Sequence, residues 1–426
     1  MLRLRYTLFF ASLLALPACN DQLDFYPHSS VSPDNTSEKD MDALLYGMYN
    51  SVQNSPGRES YIFYDLIGGE LMNPSGGNQL AFINNFLRPE YSLIGNAWDG
   101  YYRALYQVNN VLATIAPFTD TQKKREMAGT AHFFRAYLYY NLVTRWGGVP
   151  VLEQNTNEKV SRNSEEEVWN FIERELEAAL PDAPAYVVNR YYYVNKDAVQ
   201  ALMARVKLAR GKKQEAAALA EGLITSGRYK LDTFEKIFRK QQNTEVIFAF
   251  ENLTEESSIT LSTLFYTYSH TVKGSYVYKP TDDVMQNLFE ANDKRKPISI
   301  DVVQGLNVIN KYPSGQSGTD PFIVTRLAEM YLISAEAQGM AGLNRLNELR
   351  QARGLVALSP SSEESYLDAV LLERRRELLA EGFRWYDLVR TGKAVSTLGI
   401  EPHRQKLPLP ESEIILNDQL EQNPNY

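Results

Sequence analysis

Residues Ala198–Ile224 read AVQALMARVKLARGKKQEAAALAEGLI, and this stretch decides the fold class. Apolar positions recur at three- and four-residue spacing on either side of Gly211. The segment therefore predicts two helices, Lys196–Arg210 and Lys212–Ser226, with Gly227 closing the second. Ala201, Ala204, Ala209, Ala216, Ala217 and Ala220 are small residues around that turn, so neighbouring helices can approach closely. A helical hairpin of this kind cannot bury its apolar face alone and needs further pairs stacked on it.

The rest of the chain supplies them. Tyr102, Leu105, Val108, Asn109 and Leu112 predict a helix over Trp98–Ile115. Phe133, Ala136, Tyr137, Tyr140 and Val143 predict one over Thr121–Trp146, stopped by Gly147-Gly148. Ser164 and Glu167 form a capping box for a helix to Leu180. A first helix runs from Ser37 or Asp40 to Ser51. Later ones are expected over Thr281–Glu290, Phe322–Met340, Leu343–Gly354 and Glu363–Thr391, and Glu245–Glu251 (EVIFAFE) reads as one of a few short strands. The fold class is mainly α, a solenoid of helix pairs of tetratricopeptide (TPR) length. Two stretches interrupt it: 55–97, rich in Gly and Asn, and 252–280, rich in aromatics. Long irregular stretches in a compact domain are where binding residues concentrate.

At the N-terminus Arg3 and Arg5 precede the apolar run Leu8–Leu16. That run is far short of the roughly 20 residues that span a bilayer, and suits the core of a signal peptide. Leu16-Pro17-Ala18-Cys19 resembles a lipobox, and Cys19 is the only cysteine of 426 residues, so the chain builds no disulfide framework. The expectation is a signal peptide over 1–18, a lipidated Cys19 with a polar tether over 19–36, and a single helical domain over 37–426. Membrane lipid is then a partner through Cys19. Formal net charge is −8, and losing Arg3 and Arg5 makes the mature body more acidic still. Nucleic acid is excluded as a partner, since phosphate contacts need a basic face.

Several strings carry a family resemblance. They are Cys19-Asn20-Asp21-Gln22-Leu23-Asp24 with Pro27; Trp98-x3-Tyr102 before Asn109-Asn110; Phe134-Arg135-Ala136-Tyr137 leading to Trp146-Gly147-Gly148-Val149-Pro150; and Arg326-Leu327-Ala328-Glu329-Met330-Tyr331-Leu332. They continue with Glu373-Arg374-Arg375-Arg376-Glu377-Leu378, with Glu381-Gly382-Phe383-Arg384-Trp385-Tyr386-Asp387, and with Gln422-Asn423-Pro424-Asn425-Tyr426, where Asn425 replaces the usual glycine. Nearly end to end, the chain resembles the SusD/RagB family of outer-membrane lipoproteins. The resemblance implies a TPR-like scaffold with a loop-rich ligand face, set beside a SusC-like TonB-dependent transporter. It implies capture of a nutrient, usually an oligosaccharide and in some relatives a peptide.

Nothing in the chain asks for an enzyme. Glu373, Glu377 and Glu381 sit on neighbouring turns, but Arg374, Arg376 and Arg384 beside them favour ion pairs over a hydrolytic carboxylate pair. His28, His132, His270 and His403 have no metal-ligand spacing, and neither a nucleophile elbow nor a phosphate loop is present. No metal and no cofactor are expected. A lipid-anchored glycosidase and a TPR scaffold that binds only protein are the alternatives. A sugar site needs flat apolar rings and planar amides or carboxylates. The first irregular stretch offers Tyr61, Tyr64, Asn73, Asn78 and Phe82; Trp98 and Tyr101 open the next helix; the second stretch offers Tyr266, Tyr268 and Tyr276. Tyr191–Tyr193 is a further candidate.

Overall fold

The computed structural model describes residues 36–76, 78–255, 259–267, 269–271 and 273–426. The signal segment, Cys19, most of the tether and Tyr268 lie outside the described residues.

The helices that build the body are α1 (Met41–Asn54), α2 (Ser92–Ile115), α3 (Gln122–Trp146), α4 (Glu165–Asp182), α5 (Lys196–Ala209), α6 (Lys213–Ile224), α7 (Leu327–Gln338), α8 (Leu343–Ala352), α9 (Glu363–Glu377) and α10 (Arg384–Arg390). They pack in succession: α1 on α2, α2 on α3, α3 on α4, α5 on α6, α6 on α7, and α7 on α8 and α9. Their starts follow local chemistry. Thr121 accepts from Lys124 N–H, Ser164 and Glu167 form the reciprocal box, and Asn195 accepts from Ala198 N–H. Gly211 and Gly227 turn the chain at φ +70° and +73° after α5 and α6. Ala201, Ala204, Ala216 and Ala220 are wholly buried where α5 meets α6. α3 is the axis of the core: from Phe133 to Trp146 only Asn141 reaches half-exposure.

The strands are short and antiparallel. β1 (Leu71–Met72) pairs with β3 (Lys279–Pro280), β2 (Val246–Phe250) with β6 (Phe322–Arg326), and β4 (Ile300–Val303) with β5 (Leu306–Ile309). Gln304 and Gly305, both at positive φ, make the two-residue hairpin between β4 and β5.

Three boundaries differ from the sequence expectation. The segment Phe322–Arg326 is strand, not the start of a helix; its β-branched residues pair with β2, and α7 begins at Leu327. The long helix expected over Glu363–Thr391 breaks at Leu378–Phe383, where Ala380 and Gly382 take φ +59° and +80°. Asp65 caps that break, accepting from Ala380 N–H and Gly382 N–H, each at 2.8 Å. A β-carbon on Gly382 would stand 2.4 Å from the Tyr61 carbonyl oxygen, so only glycine fits. Lastly, α2 starts at Ser92 rather than Trp98, and the stretch before it holds short helices at Phe63–Leu66 and Asn78–Ile83. Among the described residues no helix is long and apolar enough to cross a membrane.

A tyrosine-lined groove as candidate functional site

Helix α1 places Tyr46, Tyr49, Asn50, Gln53 and Asn54 at i, i+3, i+4, i+7 and i+8, a single stripe along one face. Opposite stands the turn Arg190–Tyr193. Two grooves run between them, sharing a wall of Tyr46, Tyr49 and Tyr193. The first has a volume of about 360 Å³ and adds Asn50, Gln53, Asn54, Tyr192, Phe250, Glu251 and Leu253 to that wall. The second, about 260 Å³, reaches toward Met41, Lys123, Glu126 and Arg190. Ligand pockets fall at roughly 300–1,000 Å³, so the two together are the size of a site for a small oligomer.

The walls are held from behind. Ala249 N–H of β2 donates to the Tyr191 carbonyl at 2.9 Å, and Val194 N–H to the Tyr49 hydroxyl at 2.8 Å. The Tyr49 ring stands edge-on to Phe134 at 4.7 Å and 6.0 Å from Tyr193. Tyr191 and Tyr192 are 4.5 Å apart. The Gln53 amide donates to the Glu251 carbonyl and to Asn252 Oδ1, both at 2.7 Å, and thereby ties α1 to the end of β2. Rings fixed this way lose little freedom on binding. Tyr46 is 57% and Tyr193 36% exposed, so both show a face to solvent. Burial pushes the Tyr49 and Tyr192 phenols up, which keeps both neutral and able to donate or accept.

Most of the loop residues singled out in the sequence are elsewhere. Tyr61, Tyr64, Phe82, Trp98, Tyr101 and Tyr266 are buried and present no face for stacking. The reason for several of them is Arg145. Its guanidinium carbon lies 4.5 Å from the Tyr64 ring, 5.1 Å from Tyr101 and 5.5 Å from Phe63. It also donates to the Ser60 carbonyl at 2.7 Å. The loop is drawn onto α3 by this cage. Tyr61 donates to the Gln53 carbonyl, Phe82 packs on Phe63, and Trp98 on Trp146. Tyr266 donates to Asn310 Oδ1, and half-buried Tyr276 donates to the Asn307 carbonyl. Buried Asn73 closes a turn by accepting from Ser75 and Gly76 N–H. Asn78 opens the helix Asn78–Ile83. Of the sequence candidates, Tyr192 and Tyr193 lie at the groove. Tyr46, Tyr49 and Asn50 were missed, although their helical spacing was visible.

The signature carboxylates lie far from solvent. Glu377 meets Arg326, Arg353 and Arg295; Glu381 meets Arg326 and Lys311; Glu245 meets Arg326 and Arg353; Glu373 meets Arg350 and Arg295. Asp293 completes the set on Arg295. Arg353, Arg326 and Arg295 overcome burial and hold the Glu377 carboxyl well below the usual range. The neighbours expected to do this pair elsewhere: Arg374 with Asp387, Arg384 with Glu70, and Arg376 chiefly with Glu290. His132 binds Glu175 at 2.8 Å. Among the described residues no His, Cys, Asp and Glu cluster could hold a metal ion.

Two family models match. Residues 21–208 fit one described as "Starch-binding associating with outer membrane", and residues 294–406 one described as "SusD family". This chain belongs to the SusD/RagB family. A SusD-like protein of Formosa agariphila is 26% identical over 97% of both chains, and one of Bacteroides ovatus is 23% identical over 88% of this chain and 80% of that one. Among solved structures, a "Laminarin binding SusD-like protein" superposes with a TM-score of 0.80 at 22% identity, covering 92% of this chain and all of that one. "Surface glycan-binding protein A" from Bacteroides fluxus gives the same TM-score, identity and coverage. The SusD-like fold is thereby shared, TPR-like helices included.

Proposed function

We propose that this SusD/RagB family chain is a surface nutrient-binding lipoprotein that captures oligosaccharide in the tyrosine groove. In this reading Cys19 carries the lipid anchor, and the cargo passes to a SusC-like TonB-dependent transporter. The observation that carries it is the α1 stripe Tyr46-Tyr49-Asn50 facing Tyr192 and Tyr193. Rings of this kind stack on the apolar faces of sugars, and the amides and Glu251 suit the hydroxyls around them. The glycans named for structural relatives support the same class of ligand. The chain is not proposed to be an enzyme, because its signature carboxylates are each tied to buried cations.

The test is affinity electrophoresis and calorimetry of the mature protein against panels of glycans and peptides. At least one glycan should bind and remain intact. A flat response to every glycan overturns the reading, and binding of peptides alone turns it toward peptide uptake. Release of shortened products would favour a glycosidase. Replacing Cys19 with Ala should free the protein from the membrane without changing its melting temperature.

A further inference from the structure

The two grooves beside Tyr193 differ in charge. The first is lined by amides and one carboxylate, whereas Arg190, Lys123, Asp42 and Glu126 line the second. We propose that the second groove receives an acidic group of the bound glycan, a uronic carboxylate or a sulfate ester, and that Arg190 is the residue that holds it. This rests on the reading of the shared wall as a glycan site.

The four charges of that groove are not equivalent. Lys123 is neutralised by Asp42 at 2.7 Å. Glu126 accepts from the Gln122 amide at 2.8 Å. Arg190 is exposed and has no carboxylate partner among the described residues; its guanidinium carbon lies 4.8 Å over the Tyr193 ring. Tyr193 belongs to both grooves and Arg190 lines the second, so a glycan lying along both passes the edge of this stacked pair. The planar fork of arginine matches carboxylate and sulfate oxygens two at a time, and stacking on tyrosine orients the fork in advance. Elsewhere in the fold arginines of this kind are consumed by carboxylates, as Arg295, Arg326 and Arg353 are. Glu126, on α3 across the groove, repels an acid seated deeper. The acidic group therefore belongs at the Tyr193 end, with neutral units running over Tyr46 into the first groove.

Calorimetry on the mature protein tests this with oligosaccharides matched in length: neutral glucans and galactans, oligogalacturonates, and sulfated galactans. One of the two acidic classes should bind about tenfold more tightly than its neutral counterpart, equivalent to ~1.4 kcal/mol. The preference should shrink as salt rises. Arg190→Gln should abolish it, while Arg190→Lys retains part of it. Glu126→Gln should strengthen acidic binding. Equal binding of acidic and neutral chains, or a preference that survives Arg190→Gln, overturns the inference. So does competition by an acidic peptide in place of an acidic glycan. If neutral glycans bind and acidic ones are refused, this inference alone falls. If no glycan binds, the glycan reading falls with it.

Discussion

The arginine–carboxylate cluster beneath α9 and the tyrosine groove beside α1 are built from opposite strategies. In the cluster Arg295, Arg326, Arg350, Arg353 and Lys311 face Asp293, Glu245, Glu373, Glu377 and Glu381, all with side chains at most 2% exposed. Taking so many charges from water is costly, and mutual pairing offsets the cost only while every partner is present. In the groove the side chains are neutral for the most part, and two rings stand open to solvent. The strings around Arg326 and Glu377 secure the scaffold, while the groove is made from residues outside every string.

Breaking the cluster should give the largest effect. Glu377→Gln strips three arginines of a shared carboxylate and should cost about 3–5 kcal/mol by urea unfolding. The folded fraction should bind ligand as before; a loss under 1 kcal/mol would contradict the role assigned to the cluster. Asp65→Ala comes next. It orphans the Ala380 and Gly382 N–H groups and should cost about 2–3 kcal/mol.

Asp320 is hydrogen-bonded to Asn252 at the end of β2, on the groove side, and its pH dependence sharpens the contrast. Its backbone carbonyl accepts from Asn252 below the groove, and its carboxylate accepts from Ser314 N–H and Oγ. Burial raises this carboxyl to about 6, against the pull of Ser314. A carboxyl with a folded-state pKa above its unfolded one favours folding when protonated. That contribution is complete below about pH 4 and is lost as pH rises through about 6. Unfolding measured at pH 4.5 and 7 should show about 1–3 kcal/mol lost from this group, and Asp320→Asn should flatten the dependence. An equal slope in the variant would remove Asp320 as its source. The smallest effects on stability belong to Tyr46→Ala and Tyr193→Ala, each within about 0.5 kcal/mol because the rings are exposed.

Much of the scaffold was legible in the sequence because its signals are local. Ser164 with Glu167, Gly211 and Gly227 each act within a few residues of themselves, and the helix pairs follow. What was hidden depends on distant partners. Phe322–Val324 is a short apolar run, and periodicity alone cannot tell buried strand from helix; β2, far back in the chain, decides it. The break after α9 is held by Asp65, 315 residues earlier than Ala380. The same holds for the site. Tyr64 and Tyr101 look like loop aromatics until Arg145 gathers them inward. Tyr46, Tyr49 and Asn50 look like an ordinary solvated helix face until Tyr193 stands opposite. Tyr191–Tyr193 was readable as a candidate because three successive tyrosines are too many rings for one turn to hide.

One pair of variants tests the central claim most directly: calorimetry with a bound glycan on Tyr46→Ala/Tyr193→Ala beside Tyr101→Ala. The groove variant should lose at least about tenfold in affinity, ~1.4 kcal/mol, with an unchanged melting temperature. The Tyr101 variant should melt lower and bind normally. Full affinity in the groove variant, or loss of affinity without loss of stability in the Tyr101 variant, would contradict the assignment of ligand binding to the groove.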